Sequence, residues 1–327
     1  MSQSPSMPKA GVTHREIGPN EAGQRLDNYL LRHLKGVPRS RVYRLLRKGE
    51  VRVNKRRSKP DYRLAQGDQV RLPPVARGEP RSLEGQPLPE GLAQTLAGAV
   101  LLEDEDLLVL NKPAGLPVHG GSGVAVGVIE ALRRLRPDAP FLELAHRLDR
   151  ETSGCLVLAR NRPALQTFHD CLRQGEVDKT YLALVGGQWQ GGARRVNEGL
   201  ARDVRRGEMR LVRVDEQGRE ADSLFTPLAH YDGGTWMEVK IGTGRTHQIR
   251  VHAAHEGHPV AGDRHYGDFA FNRRMRRLGL RRLFLHARSL SFTLPSSGRT
   301  YDVDAPLDPD LARVLERLGG EDGPENP

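Results

Sequence analysis

The chain of 327 residues predicts an α+β protein in two parts. A small basic module of two helices and a hairpin precedes a larger, mixed and mostly antiparallel sheet flanked by helices. Three observations carry this expectation. Beyond residue 98, strand-like segments outnumber helical ones and lack the regular alternation of a doubly wound sheet. The net positive charge lies in the first quarter of the chain. Residues 74–97, rich in Pro, Gly and Glu and almost without periodicity, read as a linker between the parts.

In chain order, residues 1–20 are polar with scattered Pro and Gly and read as a mobile terminus. Leu26, Tyr29, Leu30 and Leu34 then recur at helical spacing, ended by Gly36 and Pro38. Ser40 reads as the N-cap of a helix over 41–48 with an apolar stripe of Val42, Leu45 and Leu46, and Gly49 follows its end. A strand at 51–53, an Asn54-Lys55 turn and a strand at 67–72 complete a module over residues 21–73. In the second domain, 98–318, strands are expected at 99–102, 107–110, 155–159, 179–185 and 236–241, and helices at 129–136 and 163–173. Residues 319–327 read as a disordered tail.

Residues 1–80 hold 18 Lys and Arg against 7 Asp and Glu, whereas residues 81–327 hold 33 against 34. The formal net charge of +10 therefore lies in the first module, which marks it as a polyanion binder. Arg41, Arg44 and Lys48 share the helical face opposite the apolar stripe, so one side can pack while the other meets phosphates. Arg39, Arg52 and Lys55 extend the basic surface. No run approaches the ~18 apolar residues of a membrane span. The start of the chain lacks an apolar signal region, so a cytoplasmic protein is expected. Cys155 and Cys171 form no C-x-x-C pair.

Phosphate-loop, dinucleotide and nucleophile-elbow motifs are absent, and the glycine-rich stretch 120–127 reads as a flexible loop. His247, His252, His255 and His258 are close in sequence but lack accompanying Cys or carboxylate spacing, so no metal site is expected. Two segments are informative. HRLDRETSG (146–154) brackets Asp149 with Arg147 and Arg150, and GTGRTHQIRVH (242–252) sets Arg245 on a tight turn. Taken singly, the first reads equally as a loop salt bridge, and the second as a phosphate loop or an ordinary hairpin.

Together with KTYLALV (179–185), LNKPAG (110–115), GHPVAGD (257–263), YG (266–267) and LFLHA (283–287), these segments resemble the RluA family of pseudouridine synthases in order and rough spacing. The resemblance covers about residues 20–310. The first quarter is similar to the S4-type RNA-binding module that many members carry. The segments KGVP (35–38), RKGEVRVNK (47–55) and VHGGSG (118–123) look most like the RluC branch, whose members modify several uridines of 23S ribosomal RNA.

The resemblance implies a pseudouridine synthase fold and a redox-neutral isomerisation that needs no cofactor. The N1–C1′ bond of a uridine breaks, and the base turns and rejoins through C5. The implied partner is 23S rRNA or a pre-ribosomal large-subunit particle, with the enzyme a monomer. Asp149 matches the catalytic aspartate, which attacks either the ribose C1′ or the uracil C6. Arg245 matches the arginine that keeps this carboxylate charged once it is enclosed with a base. Tyr181 matches a tyrosine that packs on the uracil and helps remove the C5 proton, and Arg147 the arginine that fills the space left by the flipped base. The arginines of 273–277 with Arg281 and Arg282 are further candidates for phosphate contact. Another rRNA site, a tRNA, or a non-catalytic assembly role are the alternative readings.

Overall fold

A computed structural model describes residues 11–34, 37–74, 88–120, 126–202 and 211–319. The chain divides into two compact units, Met1–Pro87 and Leu88–Pro327. The first contains β1 (Thr13–Glu16), α1 (Leu26–His33), α2 (Arg39–Lys48), β2 (Arg52–Val53) and β3 (Gln69–Leu72), with sheet order β1-β3-β2. The apolar stripe of α2 is buried with Leu26, Tyr29 and Leu30 of α1 and with Val53 and Val70 of the sheet. Gly49 ends α2 in the left-handed region at φ 69°, where a side chain is strained. Asn54 and Lys55, at φ 48° and 66°, form a tight turn across which Val53 and Arg56 exchange both backbone hydrogen bonds.

Three expectations fail in detail. Pro38, not Ser40, is the N-cap of α2, and it makes no side-chain capping bond. Within the stretch read as mobile, residues 13–16 pair antiparallel with β3. All four are exposed, so the strand is held by its backbone bonds and shows no apolar alternation in sequence. The stretch read as a linker contains α3 (Leu92–Gly98), anchored by fully buried Leu96. Residues 1–10, most of the expected tail and residues 121–125 of the glycine-rich loop lie outside the described residues.

The second unit continues with β4 (Val100–Glu103), β5 (Leu107–Lys112), α4 (Val128–Leu135), β6 (Glu143–Leu144), β7 (Ser153–Ala159), α5 (Arg162–Gln174) and β8 (Asp178–Gly186). Next come β9 (Arg194–Asn197), β10 (Leu200–Arg202), β11 (Val212–Val214), β12 (Asp222–Tyr231), β13 (Gly234–Ile241), α6 (Gln248–His255) and α7 (Phe269–Arg277). The chain closes with β14 (Leu285–Leu294), β15 (Arg299–Asp304) and α8 (Pro309–Gly319). Ten strands form one sheet of order β4-β5-β7-β14-β8-β13-β12-β9, with β15 on β14 and β6 on β7. Its described pairs are antiparallel except β7 with β14. This is the mixed α+β architecture the sequence predicts.

Side-chain parity explains the layers. Leu107, Val109, Cys155 and Val157 face one side, packed with Phe168 of α5. Leu108, Leu110, Leu156 and Leu158 face the other, packed with Ile129 and Leu132 of α4. Both faces are covered, which is why β5 and β7 read as continuous apolar runs. Both cysteines are buried and free.

The parallel pair β7–β14 places the loop before β7 beside β8. Gly154 lies opposite Ala287, and Ala287 lies opposite Tyr181. Gly154 has φ 105°, and a Cβ on it would meet the Ala287 carbonyl oxygen at 2.2 Å. Gly154→Ala is therefore expected to destabilise the protein by about 3 kcal/mol or more, measured as a lowered urea midpoint. A loss under ~1 kcal/mol would contradict this packing.

Candidate active site

Asp149 stands on the loop between β6 and β7, following Leu148, which is buried in the core beneath it. The loop is bolted to the segment after β5. The Gly115 amide donates to the Arg150 carbonyl at 2.8 Å, and Arg150 Nε donates back to the Gly115 carbonyl at 2.8 Å. Below them, fully buried Lys112 donates to the carbonyls of Pro113, Leu116 and Arg150 at 2.8, 2.9 and 3.2 Å. Three acceptors match the three donors of an ammonium. Burial nonetheless pulls its pKa from 10.5 to about 7.

The cation facing Asp149 is Arg250, in the middle of α6. Its Nη1 lies 3.4 Å from Asp149 Oδ2. Its other edge is held by Asp263, with Nε to Oδ2 at 2.6 Å and Nη2 to Oδ1 at 2.9 Å. Asp263 is itself fixed by the backbone amides of His265 and Tyr266 at 2.8 and 3.1 Å. Burial pushes Asp263 upward, but the hydrogen bonds and charge of Arg250, with those amides, overcome it and hold the carboxyl below its usual range. Tyr266 covers the guanidinium, whose Cζ lies 5.1 Å from the ring centroid.

His247 precedes α6 in the left-handed region at φ 57°. Its Nδ1 is 2.9 Å from the Tyr266 hydroxyl, and its Nε2 is 3.8 Å from Asp149 Oδ2. Burial lowers its pKa, so the ring is neutral at pH 7 and its approach to Asp149 is a dipole contact.

Asp149 sits where a recess of about 70 Å³ meets a cleft of about 650 Å³. Arg147, Leu148, His247 and Arg250 border both. Tyr181, on β8, forms the recess wall with Ile241 and Leu285, whereas His119, Arg150, Arg264, His265 and Arg282 line the cleft. Burial and the nearby charge of Asp149 push the Tyr181 phenol up, so it is protonated at pH 7. Arg147 is exposed at the junction.

The structure thus brings Asp149, Tyr181, Arg147 and Arg245 to one recess, but the arginine that faces Asp149 is not Arg245. Arg245 lines the recess, and its Nε donates to the Glu220 carbonyl at 2.9 Å. Its position in the turn before α6 directs it there. Arg250, five residues later, faces Asp149 instead. The sequence does carry a signal for Arg250: a charge flanked by Ile249 and Val251 in a helix whose neighbours are buried. Asp263 ends the GHPVAGD segment (257–263), whose spacing alone gives it no role. The neighbouring histidines are engaged elsewhere, His252 with Ser223 Oγ and the Glu198 carbonyl, and His258 with the Gly186 carbonyl.

On the first unit, Arg44, Lys48, Arg52 and Lys55 are exposed and Arg41 partly so, while the side chain of Arg39 lies outside the described residues. Arg52 also closes its turn by donating to the Gly49 and Lys55 carbonyls at 3.3 and 3.4 Å. The 273–282 cluster divides. Arg282 pairs with Asp308 and Asp310 and is 10% exposed, and Arg274 pairs with Asp232. Arg273, Arg276, Arg277 and Arg281 face solvent.

A family model described as RNA pseudouridylate synthase matches residues 106–255, and one described as S4 domain matches residues 24–70. Ribosomal large subunit pseudouridine synthase C of Pasteurella multocida (strain Pm70) is 52% identical over 304 residues, covering 92% of each chain. The protein of the same name from Escherichia coli (strain K12) is 48% identical over 319 residues, covering 97% of this chain and 98% of that one. Among solved structures, Human RNA Pseudouridylate Synthase Domain Containing 4 superposes with a TM-score of 0.58 at 28% identity, covering 69% of this chain and 95% of that one.

Removing the Arg250 charge leaves Asp263 buried without its cation. Arg250→Met is expected to cost about 3–5 kcal/mol at pH 7. In the parent, the lowered Asp263 pKa contributes stability above the unfolded value near 3.8, lost as pH falls through the folded value. In the variant the carboxyl prefers its proton, so the gap between the two proteins should shrink towards pH 4. Urea unfolding at pH 4 and 7 checks this, and a pH-independent gap would contradict it.

Proposed function

This chain belongs to the RNA pseudouridylate synthase family, and from that premise we propose that it isomerises uridines of 23S ribosomal RNA to pseudouridine with Asp149 as the essential carboxylate. The observation that carries the residue assignment is the Asp149 carboxylate, open to the cleft and 3.4 Å from a guanidinium whose other edge is fixed by Asp263.

The chemistry follows from this arrangement. Attack at the ribose C1′ or the uracil C6 needs an ionised carboxylate, and a base stacked over that carboxylate strips away its water. Arg250 supplies the opposing charge, and because Asp263 holds it before substrate arrives, little reorganisation is needed. Once the N1–C1′ bond has broken and the base has turned, C5 bonds to C1′, the C5 proton leaves and N1 gains one. Tyr181, protonated at pH 7, packs on the uracil. It accepts the C5 proton only while passing on its own, with Asp149 as the nearby acceptor.

Eversion of the base costs a few kcal/mol, which Arg147 offsets by entering the vacated stack. The first unit supplies phosphate contacts through Arg41, Arg44, Lys48, Arg52 and Lys55. The large-subunit substrate is supported by the names of the relatives and by the S4 match. One chain holds every residue named in the site, so the proposed reaction needs no residue from a second copy.

Asp149→Asn should abolish pseudouridine formation on a 23S rRNA fragment while leaving the RNA dissociation constant within about threefold of the parent's. Product formation at the parental rate would remove Asp149 from its role. Arg44→Ala combined with Lys48→Ala should reduce the slope of log affinity against log salt by about 2. An unchanged slope would mean this face does not meet phosphates.

A further inference from the structure

Helix α7 is pinned to the catalytic unit on one side only. Phe271 and Met275 pack inward, the former against Gly186 and Gly234. Arg274 pairs with Asp232 at 2.6 Å. Asn272 ties the helix to the site itself, donating to the Asp263 carbonyl at 2.8 Å and accepting from the Gly262 amide at 2.7 Å. Asp263 is the residue that holds Arg250, so α7 is fixed with respect to Asp149.

The opposite face is unlike an ordinary solvated helix. Phe269 is 77% exposed, the most exposed of the large hydrophobic side chains described. The Arg273 guanidinium lies one turn on, 5.6 Å from the centroid of its ring. Arg276 and Arg277, at i+7 and i+8, continue this face and are exposed. The helix also begins four residues after His265, which with Arg264 lines the cleft. That separation spans at most about 14 Å of chain. A solvated aromatic beside guanidiniums, continuous with a cationic cleft, has the chemistry that holds single-stranded nucleic acid by stacking and charge.

We propose that Phe269 and Arg273 form a platform on which an unpaired base flanking the target uridine stacks, with Arg276 and Arg277 meeting the adjoining phosphates. The inference rests on the RNA-modifying reading of the site. Phe269 acts as a specificity determinant: it favours RNA in which a base near the target is free to leave its helix.

The test uses the full-length protein and a 23S rRNA fragment, with affinity measured beside turnover. Phe269→Ala should raise KM and the dissociation constant about tenfold with kcat within twofold, and Phe269→Trp should restore both. An abasic nucleotide should cost the parent the same factor at one position near the target, and cost Phe269→Ala nothing further there. An unchanged KM and affinity in Phe269→Ala would overturn the platform, as would an equal loss at every abasic position. Conversion of the fragment by the parent tests the assigned reaction separately, and the binding series decides the platform whatever that outcome.

Discussion

One guanidinium is shared between two carboxylates of unequal exposure, and the rest of the site depends on that inequality. Asp263 is enclosed and grips Arg250 along one edge through two hydrogen bonds, whereas Asp149 is reached by a single nitrogen and stays open to the cleft. The buried carboxylate fixes the cation, and the cation in turn offers its remaining charge to the carboxylate proposed to react. With Asp263 absent, Arg250 would be free to collapse onto Asp149 as a closed pair. With Arg250 absent, two carboxylates would share one poorly solvated region, which like-charge repulsion opposes.

Holding that geometry falls to parts of the chain far apart in sequence. Lys112 gathers three carbonyls under the Asp149 loop, and the close approach of Gly154 to β14 brings the same loop beside Tyr181. Ser153, the residue before Gly154 in β7, bonds to His286 Nδ1 at 2.9 Å and accepts from Arg282 at 3.2 Å. Arg282 is anchored in turn by Asp308 and Asp310 at the start of α8. The central strands β7, β14 and β8 thus form the frame that carries Tyr181 and into which the Asp149 loop leads.

Charge is divided between the two units in keeping with their tasks. The first exposes lysines and arginines across a helix and a hairpin, where exchange of counterions for phosphate gives affinity without demanding exact geometry. In the second, many arginines are consumed by ion pairs and carbonyls, as Arg274 and Arg282 show. Its near-neutral balance follows, and the exposed arginines left on α7 are therefore informative. A run of like charges in sequence does not reveal this division, because pairing partners such as Asp232 and Asp308 lie tens of residues away.

What the sequence determined by itself was local or compositional. Continuous apolar runs marked the buried strands, Gly49 marked the end of α2 and the Asn54-Lys55 pair a turn, and motif order pointed to the chemistry and to Asp149. Its failures have local reasons too. β1 has no buried apolar side chain and is paired through its backbone and one Gln69–Glu16 side-chain bond, and α3 presents one buried leucine in a Pro- and Gly-rich stretch. Tertiary structure alone decided which arginine faces the carboxylate. Arg245 and Arg250 share one motif, and choosing between them requires knowing where the left-handed His247 starts α6 and that Asp263 closes on the helix. Distance through space between residues 149, 250 and 263 is set by the packing of three separate segments, and no spacing along the chain encodes it.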